Sequence, residues 1–222
     1  MSQPGIIEHT LSAIGEIYKL MPDSLLFGTL LLYFFTQNLS YGVLAIFIFE
    51  TVIGHRLVSW IVAQSVGVSR PTGIQNAAEK VKCRSGFLSP EYAAGRILNH
   101  EPYPSYGLFS ISALASYFSL GMHDFTPTLT SMESSWSSRH YVAYGFIAFL
   151  LFAVILMRAV SGCEGTGEIV MALAMGVLFG WLGYLLNKTL FGVDAMNFLG
   201  LPYMESRNEK GDPIYICTQV QS

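Results

Sequence analysis

Long apolar runs divided by short polar breaks set the pattern of this chain. Tyr106 to Met122, Tyr141 to Met157 and Ile169 to Leu186 contain no Asp, Glu, Lys or Arg. A helix of roughly 20 apolar residues spans about 30 Å of hydrocarbon, and within that layer a helix satisfies all its own backbone hydrogen bonds. Each run therefore predicts a membrane-crossing helix. The first half is more broken: Ser24 to Phe35 is apolar, Thr36-Gln37-Asn38-Leu39-Ser40 interrupts it, and Tyr41 to Ile53 resumes it. His55 and Arg56 follow, then Leu57 to Val62. The break predicts two spans, about 20–38 and 41–64, joined by a tight turn, with one long kinked span as the alternative.

Upstream, Ile7, Leu11, Ile14 and Tyr18 recur at helical spacing among Glu8, Glu16 and Lys19, which predicts a short amphipathic helix lying on the membrane surface over 1–22. The same segment has no basic start, continuous apolar stretch or small-residue cleavage site of a secretory signal. The expected fold is an all-α membrane protein, a polytopic bundle of about five transmembrane helices with an N-terminal amphipathic helix and a short C-terminal tail. The bundle occupies 23–187, with spans about 20–38, 41–64, 104–122, 140–158 and 168–187 and a loop at 66–103. A polar tail follows at 188–222, where residues near 204–207 and 214–217 flank a Gly-containing turn and could pair as a hairpin.

Composition fits this reading. Hydrophobic residues make up 52% of the chain and charged residues 12%, with a mean hydropathy of +0.45, whereas about a quarter of an average soluble domain is charged. The net charge of -3 gives no electrostatic footprint for nucleic acid. With five spans, Lys19, Arg70, Lys80, Lys82, Arg84, Arg96 and Arg158 share one side, and Arg139, Lys188, Arg207 and Lys210 the other. The positive-inside rule places the first group in the cytosol. Cys83, Cys163 and Cys217 match no metal-binding spacing, so neither a metal nor a cofactor is expected.

Candidate chemistry gathers on the first side. It comprises Arg70-Pro71, then Pro104-Ser105-Tyr106-Gly107 where a span begins, then Arg158 with Glu164 and Glu168 where two spans meet. Their order resembles the three phosphate-site motifs of the type 2 phosphatidic acid phosphatase family over roughly 60–187. In that family a Lys precedes the Arg-Pro by seven residues, and here Ala63 stands there. The family's Pro-Ser-Gly-His becomes Pro104-Ser105-Tyr106-Gly107. The family's Ser-Arg, His and Asp become Met157-Arg158, Glu164 and Glu168. The resemblance implies a membrane bundle whose nucleophilic His and general-acid His are both missing. A carboxylate cannot replace an imidazole that attacks an anionic phosphorus centre, because it adds repulsion. The expectation is a pseudoenzyme with no catalytic residue, in which Arg158 and Glu164 pair to fix the turn between two spans.

Intramembrane polar groups are expensive and normally partnered. Glu50 lies mid-span, and His55, Arg56 or Arg158 is expected to partner it. His123 and His140 fall on the opposite face, and His100 precedes Pro104-Ser105 in the loop. Gly176 and Gly180 have the spacing that lets helix backbones approach, which suits packing within the bundle or self-association between copies.

The tail, with Leu201-Pro202, a polar turn and Gly211-Asp-Pro-Ile-Tyr-Ile-Cys217, resembles membrane and minor capsid proteins of large double-stranded DNA viruses that enclose a lipid membrane. That resemblance implies a structural virion protein in an internal membrane derived from the host, with the bilayer and capsid proteins as its partners. The alternatives are an active lipid phosphate phosphatase and a small transporter or channel.

Overall fold

The computed structural model describes residues 24–66, 104–132, 138–161 and 164–198. Among them every regular element is helical and no strand occurs. The helices are α1 (Ser24–Thr36), α2 (Leu39–Val66), α3 (Tyr106–Met132), α4 (Arg139–Ser161) and α5 (Thr166–Phe191), followed by a single 3-10 turn at Asp194–Met196. The predicted surface helix at 1–22, the loop at 66–103 beyond Val66 up to Tyr103, and the hairpin at 204–217 lie outside the described residues.

The polar break at Thr36 to Ser40 divides α1 from α2 because its residues stop one helix and start the next. Gln37 takes a left-handed φ of 54°, and its N–H donates to the Tyr33 carbonyl at 2.8 Å. The Asn38 side-chain oxygen then accepts the Ser40 N–H at 2.9 Å, occupying a donor that the first turn of α2 would leave unsatisfied. The chain turns here so that the Tyr33 ring lies against Gly42.

Three helices are long and apolar enough to cross a membrane: α2 over Leu39–Ser65, α4 over His140–Val160 and α5 over Thr166–Phe191. This differs from the ranking by sequence, in which Tyr106 to Met122 stands among the clearest spans and α2 among the least clear. The reason is position. α3 is the central helix: Tyr106, Leu108, Phe109, Ala113 and Tyr117 are buried against other helices. Its surroundings are protein, so Ser110 and Ser112 are tolerated, each bonding back to carbonyls of its own helix. α4 lies outermost, with Tyr141, Val142, Phe146, Phe149, Phe152 and Val160 exposed as a continuous apolar surface.

Contacts fix the helix directions. α2 runs antiparallel to α3, since Phe47 stacks on Tyr117 at 3.9 Å while His55 meets Tyr106. α3 and α5 run parallel, with Gly176 against Ser112 and Phe109, Gly180 against Ala113, and Tyr184 against Tyr117. α4, which links them in the chain, runs antiparallel to α3 on the outside, bonding through Tyr144 Oη to the Ser119 carbonyl at 3.1 Å and packing Val154 into the cluster that holds Leu108.

The glycine pair on α5 has a structural use inside the bundle. A Cβ at Gly176 would collide with Ser112 Oγ and the Phe109 carbonyl, and one at Gly180 with the Ala113 carbonyl. Lipid tails are as apolar as leucine, so close backbone packing of this kind, more than apolar burial, holds such helices together.

The segment assigned to the tail from residue 188 onward begins instead as bundle. α5 continues to Phe191, and Gly192, at a φ of 84°, redirects the chain while its N–H caps the Lys188 carbonyl at 3.1 Å. Met196 is then buried, accepting from Tyr117 Oη at 3.4 Å, and the Phe198 ring fills the space over Gly121.

Candidate functional site

α3 opens at Tyr106 with Pro104 and Ser105 just outside it, and the Ser105 carbonyl accepts the Phe109 N–H at 3.0 Å to start the helix. The last turn of α4 presents Arg158 to the same end of the bundle. Glu164 and Gly165 stand just before the start of α5. Four of the five described phosphate-site positions, Pro104, Ser105, Arg158 and Glu164, thus converge from three places in the chain. The fifth, Glu168, sits beside them at the start of α5. Arg70 and Pro71 lie outside the described residues.

At the centre is a closed ion pair. Arg158 Nη2 lies 3.3 Å from Glu164 Oε1 and donates to Ser105 Oγ at 2.8 Å. The side chains of Arg158 and Glu164 are only 8% and 4% exposed. Burial pushes the Glu164 carboxyl above the usual carboxylate range, a shift that Arg158 and a hydrogen bond from Ser105 oppose and the nearby Glu168 charge reinforces. One carboxylate oxygen, Glu164 Oε2, is buried with no hydrogen-bond partner. A buried pair of this kind fixes geometry more than it adds stability, because desolvating both charges offsets most of their attraction.

Glu168 has a different task from the one its spacing suggested. Its carboxylate turns back to accept the Gly165 N–H at 2.9 Å, one half of a capping box at the start of α5. A carboxylate there also suits the positive end of the helix dipole.

His55 is the residue whose placement differs most from expectation. It is fully buried, and its Nε2 donates to the Pro104 carbonyl at 2.5 Å, with the ring edge-on to Tyr106 at 5.2 Å. It therefore belongs beside Ser105 and does not partner Glu50. Nor do Arg56, which is exposed, or Arg158, which is held at the Glu164 end. The partner of Glu50 is Asn187 on α5, whose Nδ2 donates to Glu50 Oε2 at 3.3 Å. A span-end Asn gave no sequence signal, since its 137-residue separation from Glu50 carries no periodic cue.

The far end of the bundle holds a second polar cluster that sequence reasoning missed. Asp124 on α3 accepts from Tyr184 Oη at 2.7 Å and from Lys188 Nζ, both on α5. The available signal was opposite charges just past the ends of two parallel spans. His123 and His140 lie at this end, remote from Ser105. Among the described residues no group of three or more His, Cys, Asp or Glu could hold a metal ion. Compared with family models, with curated proteins and with solved structures, the chain matches none.

Proposed function

We propose that this protein is a non-enzymatic structural membrane protein, a five-helix bundle in which α1 and α3 complete the three apolar spans. The observation that carries the reading is the Arg158–Glu164 pair, 3.3 Å apart and buried, with Ser105 bonded to the same guanidinium. In the phosphatase pattern that the motif order resembles, an arginine at this place grips the phosphate and an imidazole stands where Glu164 is. Here the arginine is already neutralised. A phosphate entering the site meets a carboxylate at ion-pair distance, and like charges about 4 Å apart repel by about 4 kcal/mol at an effective dielectric near 20. Loss of the imidazole nucleophile and obstruction of the anion site act in the same direction, against turnover.

As the setting, we propose the internal membrane of a double-stranded DNA virion beneath its capsid shell. The support is the resemblance of the tail at 201–217. Purified protein mixed with phosphatidic acid in detergent is expected to release no more inorganic phosphate than its Arg158→Ala variant. Mass spectrometry of purified, protease-shaved virions is expected to recover its peptides with the membrane fraction. Phosphate release that disappears in Arg158→Ala favours the enzyme reading, and recovery only from host membranes refutes the virion setting.

A further inference from the structure

Glu50 stands eleven residues after Leu39 and sixteen before Val66 on α2, about 16 Å and about 24 Å from the helix ends at about 1.5 Å per residue. It is partly exposed at the seam between α2 and α5. Ile46, Phe49 and Ile53 around it are exposed, as are Leu186 and Leu190 on either side of Asn187. One side of the carboxyl therefore opens toward lipid, and the other meets the Asn187 amide. Asn187 is fully buried, and its Oδ1 has no hydrogen-bond partner.

The groups facing this seam supply no counter-charge. From α3 comes Tyr117, whose hydroxyl donates to Met196 Sδ. From α5 come Tyr184 and Lys188, both bound to Asp124. The 3-10 turn offers Asp194, itself acidic and exposed, and α1 offers Tyr33, turned to Gly42. On α2 itself His55 is engaged with the Pro104 carbonyl and Arg56 lies on an exposed face. Among the described residues no Lys, Arg or His forms an ion pair with Glu50.

A carboxylate in hydrocarbon without a cation costs several kcal/mol, whereas a neutral carboxyl has an O–H to donate. The amide of Asn187 can turn by 180° about its terminal bond to offer Oδ1 to that O–H, since its oxygen and nitrogen occupy equivalent positions. We propose that Glu50 and Asn187 form an intramembrane proton-binding site that opens onto lipid between α2 and α5. The proton is held on the carboxyl oxygen facing the amide and exchanges along the seam.

Full-length protein in liposomes, treated with dicyclohexylcarbodiimide and mapped by peptide mass spectrometry, tests this. The protonated carboxyl adds its O–H across the C=N bond, and the O-acylisourea rearranges to a stable N-acylurea with no leaving group. The expected result is an adduct at Glu50 whose rate falls about tenfold for each pH unit above the site's midpoint. Asn187→Ala is expected to move that midpoint. Glu50→Gln, an isostere of the neutral acid, is expected to fold with an unchanged melting temperature and to lose the adduct. Absence of a Glu50 adduct between about pH 5 and about pH 9, a rate independent of pH, or equal labelling by a water-soluble carbodiimide overturns the proposal.

Discussion

The two ends of the bundle each carry an ion pair, and the two pairs differ in almost every physical respect. At the end where α4 passes to α5, Arg158 and Glu164 are buried to within a few per cent and tie the loop before α3 to the turn before α5. At the other end Lys188 and Asp124 have side chains 33% and 24% exposed, and they join the last turn of α5 to the C-terminal half of α3, two helices already locked by Gly176 and Gly180. Nearly the same interaction serves as a structural plug in one place and as a surface contact in the other. Burial, and not the presence of opposite charges, decides how much depends on each pair.

The largest expected effect comes from breaking the buried pair. Arg158→Ala or Glu164→Ala leaves an uncompensated buried charge and is expected to cost about 3–5 kcal/mol, read as a drop in melting temperature in detergent. Arg158→Met combined with Glu164→Leu is expected to recover most of that loss, and a double variant as unstable as either single one argues against the buried-charge explanation. Next, Gly180→Val drives a side chain into the Ala113 carbonyl and is expected to cost about 1–3 kcal/mol, while Gly145→Val, with nothing near its Cβ, is expected to cost little. Equal losses at both positions contradict the packing of α5 on α3. Asp124→Asn at the exposed pair is expected to cost under about 1 kcal/mol.

The smallest effect is the sharpest, because the two ends are expected to respond to acid with opposite sign. Burial holds the Glu164 carboxyl above its ordinary value, so on acidification the folded chain takes up this proton before the unfolded chain does. Stability from this group rises as pH falls through the folded titration toward the ordinary value of 4.5. For Asp124, burial pushes upward but is outweighed by the hydrogen bonds from Lys188 and Tyr184 and the charges of Lys188 and His123. Its carboxyl lies below the ordinary 3.8, so its contribution is complete above that value and is lost as pH falls through the lower folded one. Melting curves from neutral to acid pH are expected to lose the rising part in Glu164→Gln and the falling part in Asp124→Asn. Identical profiles for both variants refute the assignment.

How much of this could be read from the chain depended on which surface each residue faces. α4 and α5 were legible because they are apolar over most of their surface, the exposed faces included. The break between α1 and α2 was legible because Gln37 and Asn38 are residues suited to stopping and starting helices. α3 was found, yet its central place was not, since hydropathy measures contact with lipid and α3 touches mainly other helices. The site at Ser105, Arg158 and Glu164 came from motif spacing alone. The partners of Glu50 and His55 were misassigned because they lie on other helices, at separations where the sequence holds no periodic signal. Glu168 was read as a site residue, although its place three residues after Gly165 at a helix start already described a cap.

The central claim is that Arg158 is unavailable to a phosphate because Glu164 already occupies it. Thermal unfolding of the detergent-solubilised protein over a titration with orthovanadate, a mimic of phosphate in its transition state, measures this directly. The expected result is no saturable rise in melting temperature; a saturable rise that disappears in Arg158→Ala contradicts the account.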